Sequence, residues 1–296
     1  MRLRIGTRGS RLALAQAEEV AALLRERGHE TEIAPMTTAG DRGASPAASP
    51  TGTKGLFVAE ITDALSRGEV DLAVHSAKDL PSGDPPGVVV AAVPQRGLPY
   101  DVLVSREAEL PDDPVVGTSS LRRRAQLLRI HPGAAVRDLR GNVDTRLRRM
   151  AEGVIDALVL AAAGLARLGV RPDHVRPIPV DEMVPAPGQG ALAVQARADD
   201  GAAEAAGAID HPASRAAFET ERQVVALLGG GCRLPLGAYA EPRDDAVRLL
   251  AVVVRPDGSD LLWSQVEGPD PFQVAGEAGQ ALLAAGAGAI LADLRA

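Results

Sequence analysis

The sequence predicts an α/β protein: two successive domains with mostly parallel sheets, followed by a smaller α+β domain. Three observations predict it. Strand-like and helix-like segments alternate from Arg2 onward, a second alternation begins near Asp101, and from about Pro212 a helix is followed by consecutive strand-like segments. A length of 296 residues with 46% hydrophobic and 24% charged residues is an ordinary globular composition, long enough for two or three domains.

In the first series, residues 2–7 read as a strand. Ser10 caps a helix running through Leu12, Ala15, Val20, Leu23 and Leu24, which Gly28 stops. Residues 31–36 form a second strand and 56–67 a second helix ended by Gly68. Residues 70–75 and 88–93 are apolar enough to be buried parallel strands. Between the second strand and the second helix lies the stretch 40–53, rich in Gly, Ala, Ser and Pro. It lacks the apolar bulk to order itself and is either a disordered insertion or a functional lid; the lid, over residues 42–53, is the reading favoured because Lys54-Gly55-Leu56-Phe57 follows immediately.

In the second series, 102–105 and 115–118 are strands, followed by a helix capped near Ser119 or Ser120. A strand over 135–139 precedes a helix over 142–152 that Gly153 ends. A strand over 155–160 then runs into a small-residue helix over 161–168. The proline-rich stretch 177–187 marks a crossing between domains, and 191–196 reads as a strand returning to the first sheet. The division expected is 1–95 with 191–209, 99–186, and 212–296. In the last, a helix through Phe218, Val224 and Leu228 breaks at Gly229-Gly230-Gly231, ahead of strands over 237–239, 247–254 and 261–266 and an alanine-rich helical end.

Composition excludes several function classes. The most apolar run, 157–166, is far short of the ~20 residues that span a bilayer. The first residues carry arginines where a signal peptide has its apolar segment, so a cytoplasmic protein is expected. The single cysteine, Cys232, rules out an intramolecular disulfide and a multi-cysteine zinc site, and the five histidines lack ligand spacing, so no metal is expected.

Charge is more informative. Net charge is -7, yet residues 122–149 hold nine arginines (Arg122, Arg123, Arg124, Arg129, Arg137, Arg140, Arg146, Arg148, Arg149) against Asp138 and Asp144. Gly117-Thr118-Ser119-Ser120 precedes this cluster at a strand-to-helix turn, where N–H groups, hydroxyls and the positive helix end favour anions. Arg140-Gly141-Asn142 repeats the arrangement at the next helix start. A solvated basic face and a nucleic-acid surface are the rival readings. Aromatic residues are 2% of the chain, too few for base stacking, and the acidic remainder repels a long polyanion. A small polyanion in a cleft fits better than nucleic acid.

All basic residues but Lys54 and Lys78 are arginine. A compact ammonium does what a planar fork cannot, so two lysines in such a chain mark candidate sites. Lys78 falls in Val70-Asp71-Leu72-Ala73-Val74-His75-Ser76-Ala77-Lys78-Asp79-Leu80-Pro81, a buried strand that delivers Ser76, Lys78 and Asp79 to its C-terminal end, where open α/β sheets bind ligands. A carboxylate beside an ammonium suits acid–base work or stabilisation of a developing cation. A local ion pair is the plainer alternative, and His75 reads as a packed strand histidine. Cys232 follows three glycines that permit close backbone approach, and Arg233 favours its thiolate, although a lone cysteine is commonly a small buried hydrophobe.

Eight segments, in order, resemble the porphobilinogen deaminase family: Arg4-Ile5-Gly6-Thr7-Arg8-Gly9-Ser10, Lys54-Gly55-Leu56-Phe57-Val58, Ala73 through Pro81, Gly117 through Arg123, Leu139-Arg140-Gly141-Asn142-Val143, Ala163-Gly164-Leu165, Pro187-Gly188-Gln189-Gly190-Ala191 and Gly230-Gly231-Cys232. The resemblance implies two binding-protein-like α/β domains and a small cysteine-bearing third. It implies a cytoplasmic, monomeric transferase of tetrapyrrole and heme biosynthesis that condenses four porphobilinogen molecules head to tail into hydroxymethylbilane, releasing ammonia. It also implies a dipyrromethane cofactor on Cys232 through a thioether, Asp79 as the catalytic carboxylate, and cofactor contacts from Lys54, Ser76, Lys78, Thr118, Ser120, Arg122, Arg123, Arg140 and Gly141. Arg8, Ser10, Arg146 and Arg167 match substrate-binding positions. Each pyrrole unit carries an acetate and a propionate, which the arginine cluster suits. Two departures stand out. The lid lacks the apolar stretch and extra lysine of many relatives, and Ala77 stands where methionine is frequent. The alternative reading is a non-catalytic small-polyanion-binding protein on the same scaffold, which leaves Cys232 and the Lys78-Asp79 pair without a task.

Overall fold

The computed structural model describes residues 1–36, 52–229 and 234–294, with side chains from residue 58 in the second stretch. Of the lid expected over 42–53, residues 42–51 lie outside the described residues, while 52 and 53 open the helix that follows; the side chain of Lys54 and all of Cys232 also lie outside them.

The first sheet is built from β1 (Arg2–Arg8), β2 (Glu30–Met36), β3 (Leu72–Ser76), β4 (Val88–Ala92) and β10 (Leu192–Arg197), in the order β2-β1-β3-β10-β4. Its helices are α1 (Arg11–Glu26), α2 (Gly52–Ser66) and α6 (Gly201–Gly207). The second sheet contains β5 (Asp101–Ser105), β6 (Val115–Gly117), β7 (Ala135–Arg137), β8 (Ala157–Ala161) and β9 (His174–Pro177), ordered β7-β6-β8-β5-β9. Helices α3 (Leu121–Ile130), α4 (Val143–Ala151) and α5 (Ala162–Leu168) accompany it. The short β9 and α6 carry too little periodic pattern to be read from sequence.

Each sheet has four strands in one direction and one against them. The exceptions are β10, antiparallel to β3 and β4, and β5, antiparallel to β8 and β9. These are the strands entered directly after the chain crosses between sheets, so both crossings, 93–100 and 178–191, run side by side. They touch where Gly97 N–H donates to the Gly190 carbonyl at 3.2 Å. Gly190 has φ +88°, and a Cβ there would lie 2.7 Å from the Gly97 oxygen, so contact between the crossings requires glycine.

The core stripe of α1 differs in phase from the expected one. Ala13, Gln16, Ala17, Val20, Ala21 and Leu24 are buried at helical spacing, while Leu12 faces the space between the sheets. Residues beyond 211 form α7 (Pro212–Leu227), an antiparallel sheet of β11 (Leu236–Arg243), β12 (Ala246–Val254) and β13 (Leu261–Gly268), and helices α8 (Pro271–Ala284) and α9 (Ala287–Asp293). One face of this sheet buries α7, α8 and α9 around Val224, Leu249, Ala251 and Leu282. The other buries Leu250, Val252 and Val254 against Ala125 of α3 and Val184 of the second crossing. Among the described residues, no single helix is long and apolar enough to cross a membrane, and no group of three His, Cys, Asp or Glu is placed to hold a metal.

Candidate active site

Strand β3 is buried through His75 and ends in a single 3-10 turn, Ala77–Asp79. That turn is fixed from both sides. Ala77 N–H donates to the Ala191 carbonyl at 3.0 Å, and Gly188, at φ +74°, packs so closely that a Cβ would lie 2.9 Å from the Ala77–Lys78 peptide. Ser76 is fastened from α1 by Gln16, whose Nε2 donates to Ser76 Oγ at 2.8 Å. Lys78 and Asp79 thus leave the strand end at defined positions, both half-buried.

A cavity of about 200 Å³ opens between the two sheets. Arg8, Ser10, Gln16, Ser76 and Lys78 line it from the first, and Arg123, Gly141, Asn142, Asp144, Arg146 and Arg167 from the second. The structure therefore gathers Arg8, Ser10, Ser76, Lys78, Arg123, Gly141, Arg146 and Arg167, residues scattered over the sequence, around one space. Asp144 is the acidic side chain in that wall, and its partner is Arg11 at 3.0 Å. Arg146 donates to the Gly141 carbonyl at 2.8 Å. Burial and the like charge of Arg123 pull its pKa down to about 10, against a weaker opposing pull from Asp138. A cation strained in this way is relieved by an incoming anion.

Several expected residues lie elsewhere. Asp79 adjoins the cavity through Lys78 without being part of its wall. Thr118 is buried and accepts from Ser120 N–H at 3.2 Å, and Ser120 caps α3 by accepting from Arg123 N–H. Arg140 is exposed, 3.4 Å from Asp138. Arg122 does not reach the cavity. It is 3% exposed and donates to Asp101 at 2.7 Å and to the Val184 carbonyl at 2.7 Å. Arg123 donates to Asp101 at 2.8 Å and to the Val159 carbonyl at 3.0 Å while still lining the cavity. Burial by itself would raise the Asp101 carboxyl, but the two guanidiniums overcome it and hold it well below the usual carboxylate range. Burial likewise pushes His75 down to about 4 despite the opposing charge of Asp79, so this histidine is neutral at physiological pH.

Sequence reasoning missed Asp101, Gln16 and Glu221. Asp101 opens an apolar strand, and Gln16 and Glu221 occupy core positions of amphipathic helices. A polar residue on a core stripe signals a built-in partner. Glu221, fully buried on α7, binds Arg96 at 2.7 and 3.1 Å and accepts from Gly188 N–H at 2.6 Å and Ala240 N–H at 2.7 Å. It joins both crossings to the third sheet.

Fold and site together define a protein of two α/β domains and a smaller third sheet, with a cationic cleft between the first two that suits a small ligand bearing several carboxylates, and an acidic side chain at the strand end beside it. The family model described as porphobilinogen deaminase, dipyromethane cofactor binding domain, matches residues 3–205, and the porphobilinogen deaminase C-terminal domain matches 216–285. The chain belongs to the porphobilinogen deaminase family. It is 48% identical to porphobilinogen deaminase of Desulforudis audaxviator, with 99% of this chain and 97% of that one covered. It is 46% identical to the Rubrobacter xylanophilus enzyme over 99% and 98%, and 46% to that of Thermus thermophilus over 89% of each. Among solved structures, the methionine binding protein MetQ aligns at a TM-score of 0.44 and 14% identity, covering 75% of this chain and 90% of that one. The protein is accordingly a transferase of tetrapyrrole synthesis with a dipyrromethane cofactor domain. The cleft chemistry suits that group, because the cationic side chains of Lys78 and Arg123 on its wall call for carboxylates.

Proposed function

We propose that this chain condenses four porphobilinogen molecules head to tail into hydroxymethylbilane, with Cys232 carrying the dipyrromethane through a thioether and Asp79 as the acid–base group. The observation that carries the reading is the convergence of Arg8, Lys78, Arg123, Arg146 and Arg167 on one cavity beside the turn that holds Asp79. When bound, the dipyrromethane supplies the nucleophilic pyrrole carbon from which the product chain extends.

The rest is assigned to this chain's own groups. Asp79 as a carboxylic acid gives its proton to the departing amine, and as a carboxylate it accepts from pyrrole N–H groups and balances positive charge on the reacting ring. Lys78, Ser76, Arg123 and Gly141 take the cofactor's side chains, while Arg8, Ser10, Arg146 and Arg167 take the substrate's. Lys54 is assigned to the cofactor with them. Thr118 and Ser120 order the start of α3, and Arg122 supports Arg123 through their shared Asp101. Arg140 is offered at the exposed rim. The division into 1–95 with 191–209, 99–186 and 212–296 separates the acid, the anion cleft and the cysteine. The enzyme is placed in the cytoplasm as a monomer without nucleic-acid or membrane partners.

Intact-mass measurement tests the anchor. The wild-type chain exceeds its sequence mass by one dipyrromethane, and Cys232→Ser loses the excess. Asp79→Ala keeps the adduct and loses at least a hundredfold in turnover, about the contribution of a positioned acid–base group. A wild-type chain without adduct, even after exposure to porphobilinogen, removes the proposal.

A further inference from the structure

Arg167 lines the cleft and is held by three hydrogen bonds. It stands in the last turn of α5, and its side chain is 10% exposed. Its Nε donates to Glu19 Oε2 at 2.7 Å and its NH2 to Glu19 Oε1 at 3.3 Å and to the Gly190 carbonyl at 3.1 Å. Glu19 belongs to α1 of the first sheet, so the pair crosses from one domain to the other. Glu19 also lines a separate cavity of about 610 Å³ with Arg27, Gln95 and His211, while Arg167 lines the cleft. The ion pair thus has one partner on the wall of each space.

This geometry fixes which edge of the guanidinium meets a ligand. Arginine presents its donors in a rigid fork, and a two-point carboxylate contact on the Nε edge sets the plane of the whole group. With that edge on Glu19 and NH2 on Gly190, the NH1 corner is left for the cleft. We propose that Glu19 is a positioning residue for Arg167: it orients the guanidinium from behind so that its remaining edge receives a carboxylate of the porphobilinogen unit. The inference rests on the assignment of Arg167 to substrate binding made above. It adds a residue outside the cleft that sets substrate affinity without touching substrate.

The test is steady-state kinetics on the cofactor-loaded enzyme with Glu19→Gln, Glu19→Asp, Arg167→Gln and the double variant Glu19→Gln/Arg167→Gln, each checked for an unchanged melting temperature. Loss of an oriented, charge-assisted contact predicts a KM for porphobilinogen raised about tenfold in Glu19→Gln with kcat within about twofold, and partial recovery in Glu19→Asp. Arg167→Gln raises KM at least as much, and the double variant is no worse than Arg167→Gln alone. A residue of purely structural importance would lower the melting temperature or kcat and would add to Arg167→Gln. If Arg167→Gln raises KM while Glu19→Gln leaves it unchanged or lowers it, or if the two effects add, Glu19 is not the positioning residue and the Arg167 assignment stands. If Arg167→Gln itself leaves KM unchanged, the substrate assignment of Arg167 falls.

Discussion

Single residues on the buried side of the cleft carry charges whose state is set by packing, and His75 shows the consequence for stability. Its ring is buried in β3, and Nε2 has no partner among the described atoms. With its pKa pushed from an ordinary 6.5 to about 4, mainly by burial, the folded protein refuses a proton that the unfolded chain accepts. The sign follows from linkage: below pH 6.5 the unfolded state binds more protons, so stability falls as pH drops toward 4 and levels off beneath it. The shift corresponds to about 3 kcal/mol. Urea unfolding of His75→Gln between pH 7 and 4 is expected to lose this slope while the wild type keeps it, and equal slopes would show that the ring is protonated in the folded state. Asp101 acts in the same acid direction, because its depressed carboxyl contributes stability at neutral pH that is lost in acid.

At the scale of elements, α7 is the piece that relates the third domain to the turn carrying Asp79. Arg222 of α7 donates to Asp84 at 2.9 and 3.0 Å and to the Pro81 carbonyl at 3.1 Å, gripping the loop just after that turn. Asp84 in turn accepts from Gln195 of β10 at 3.0 Å. The same helix runs on toward the glycine segment that contains Cys232. Asp84→Asn weakens the grip while preserving the size of the side chain. The expected result is a loss of about 1–2 kcal/mol in unfolding free energy, with kcat lowered several-fold and KM unchanged. A variant with full kcat would separate α7 from the chemistry. Elements also show what was legible beforehand. Strands β3 and β8 were readable from their apolar runs, α1 from its periodicity between Ser10 and Gly28, and α3 from its serine cap. The direction of β10 and β5 was not, because an antiparallel strand at a crossing has the same local pattern as a parallel one. The cleft was legible as an arginine cluster, but not which arginines face it. Arg122 and Arg123 are neighbours in sequence and both bond Asp101, but Arg122 turns inward to the Val184 carbonyl while Arg123, on the Val159 carbonyl, stays at the wall.

For the whole molecule, the question is what holds three sheets together when the chain crosses between the first two at 93–100 and 178–191. The contact of Gly97 with Gly190 is small, and the ion pairs spanning the cleft mouth, such as Arg11 with Asp144, are largely exposed and worth at most about 1 kcal/mol. Glu221 is different in kind. Fully buried, it uses both oxygens on Arg96 of one crossing, Gly188 of the other and Ala240 of β11. Arg96, 10% exposed, further donates to the Gln189 carbonyl and lies 5.4 Å from the Tyr239 ring. Removing the carboxylate charge strands a buried guanidinium, for which a loss of about 3–5 kcal/mol is expected. Because the residue joins all three units, Glu221→Gln should do more than lower the midpoint of urea unfolding. The third domain should come away at lower denaturant than the first two, splitting one transition into two when Trp263 fluorescence, which reports β13, is compared with far-ultraviolet circular dichroism. Coincident curves with a small shift would mean that the apolar contact between β12 and α3, through Val252 and Ala125, is enough by itself to couple the domains.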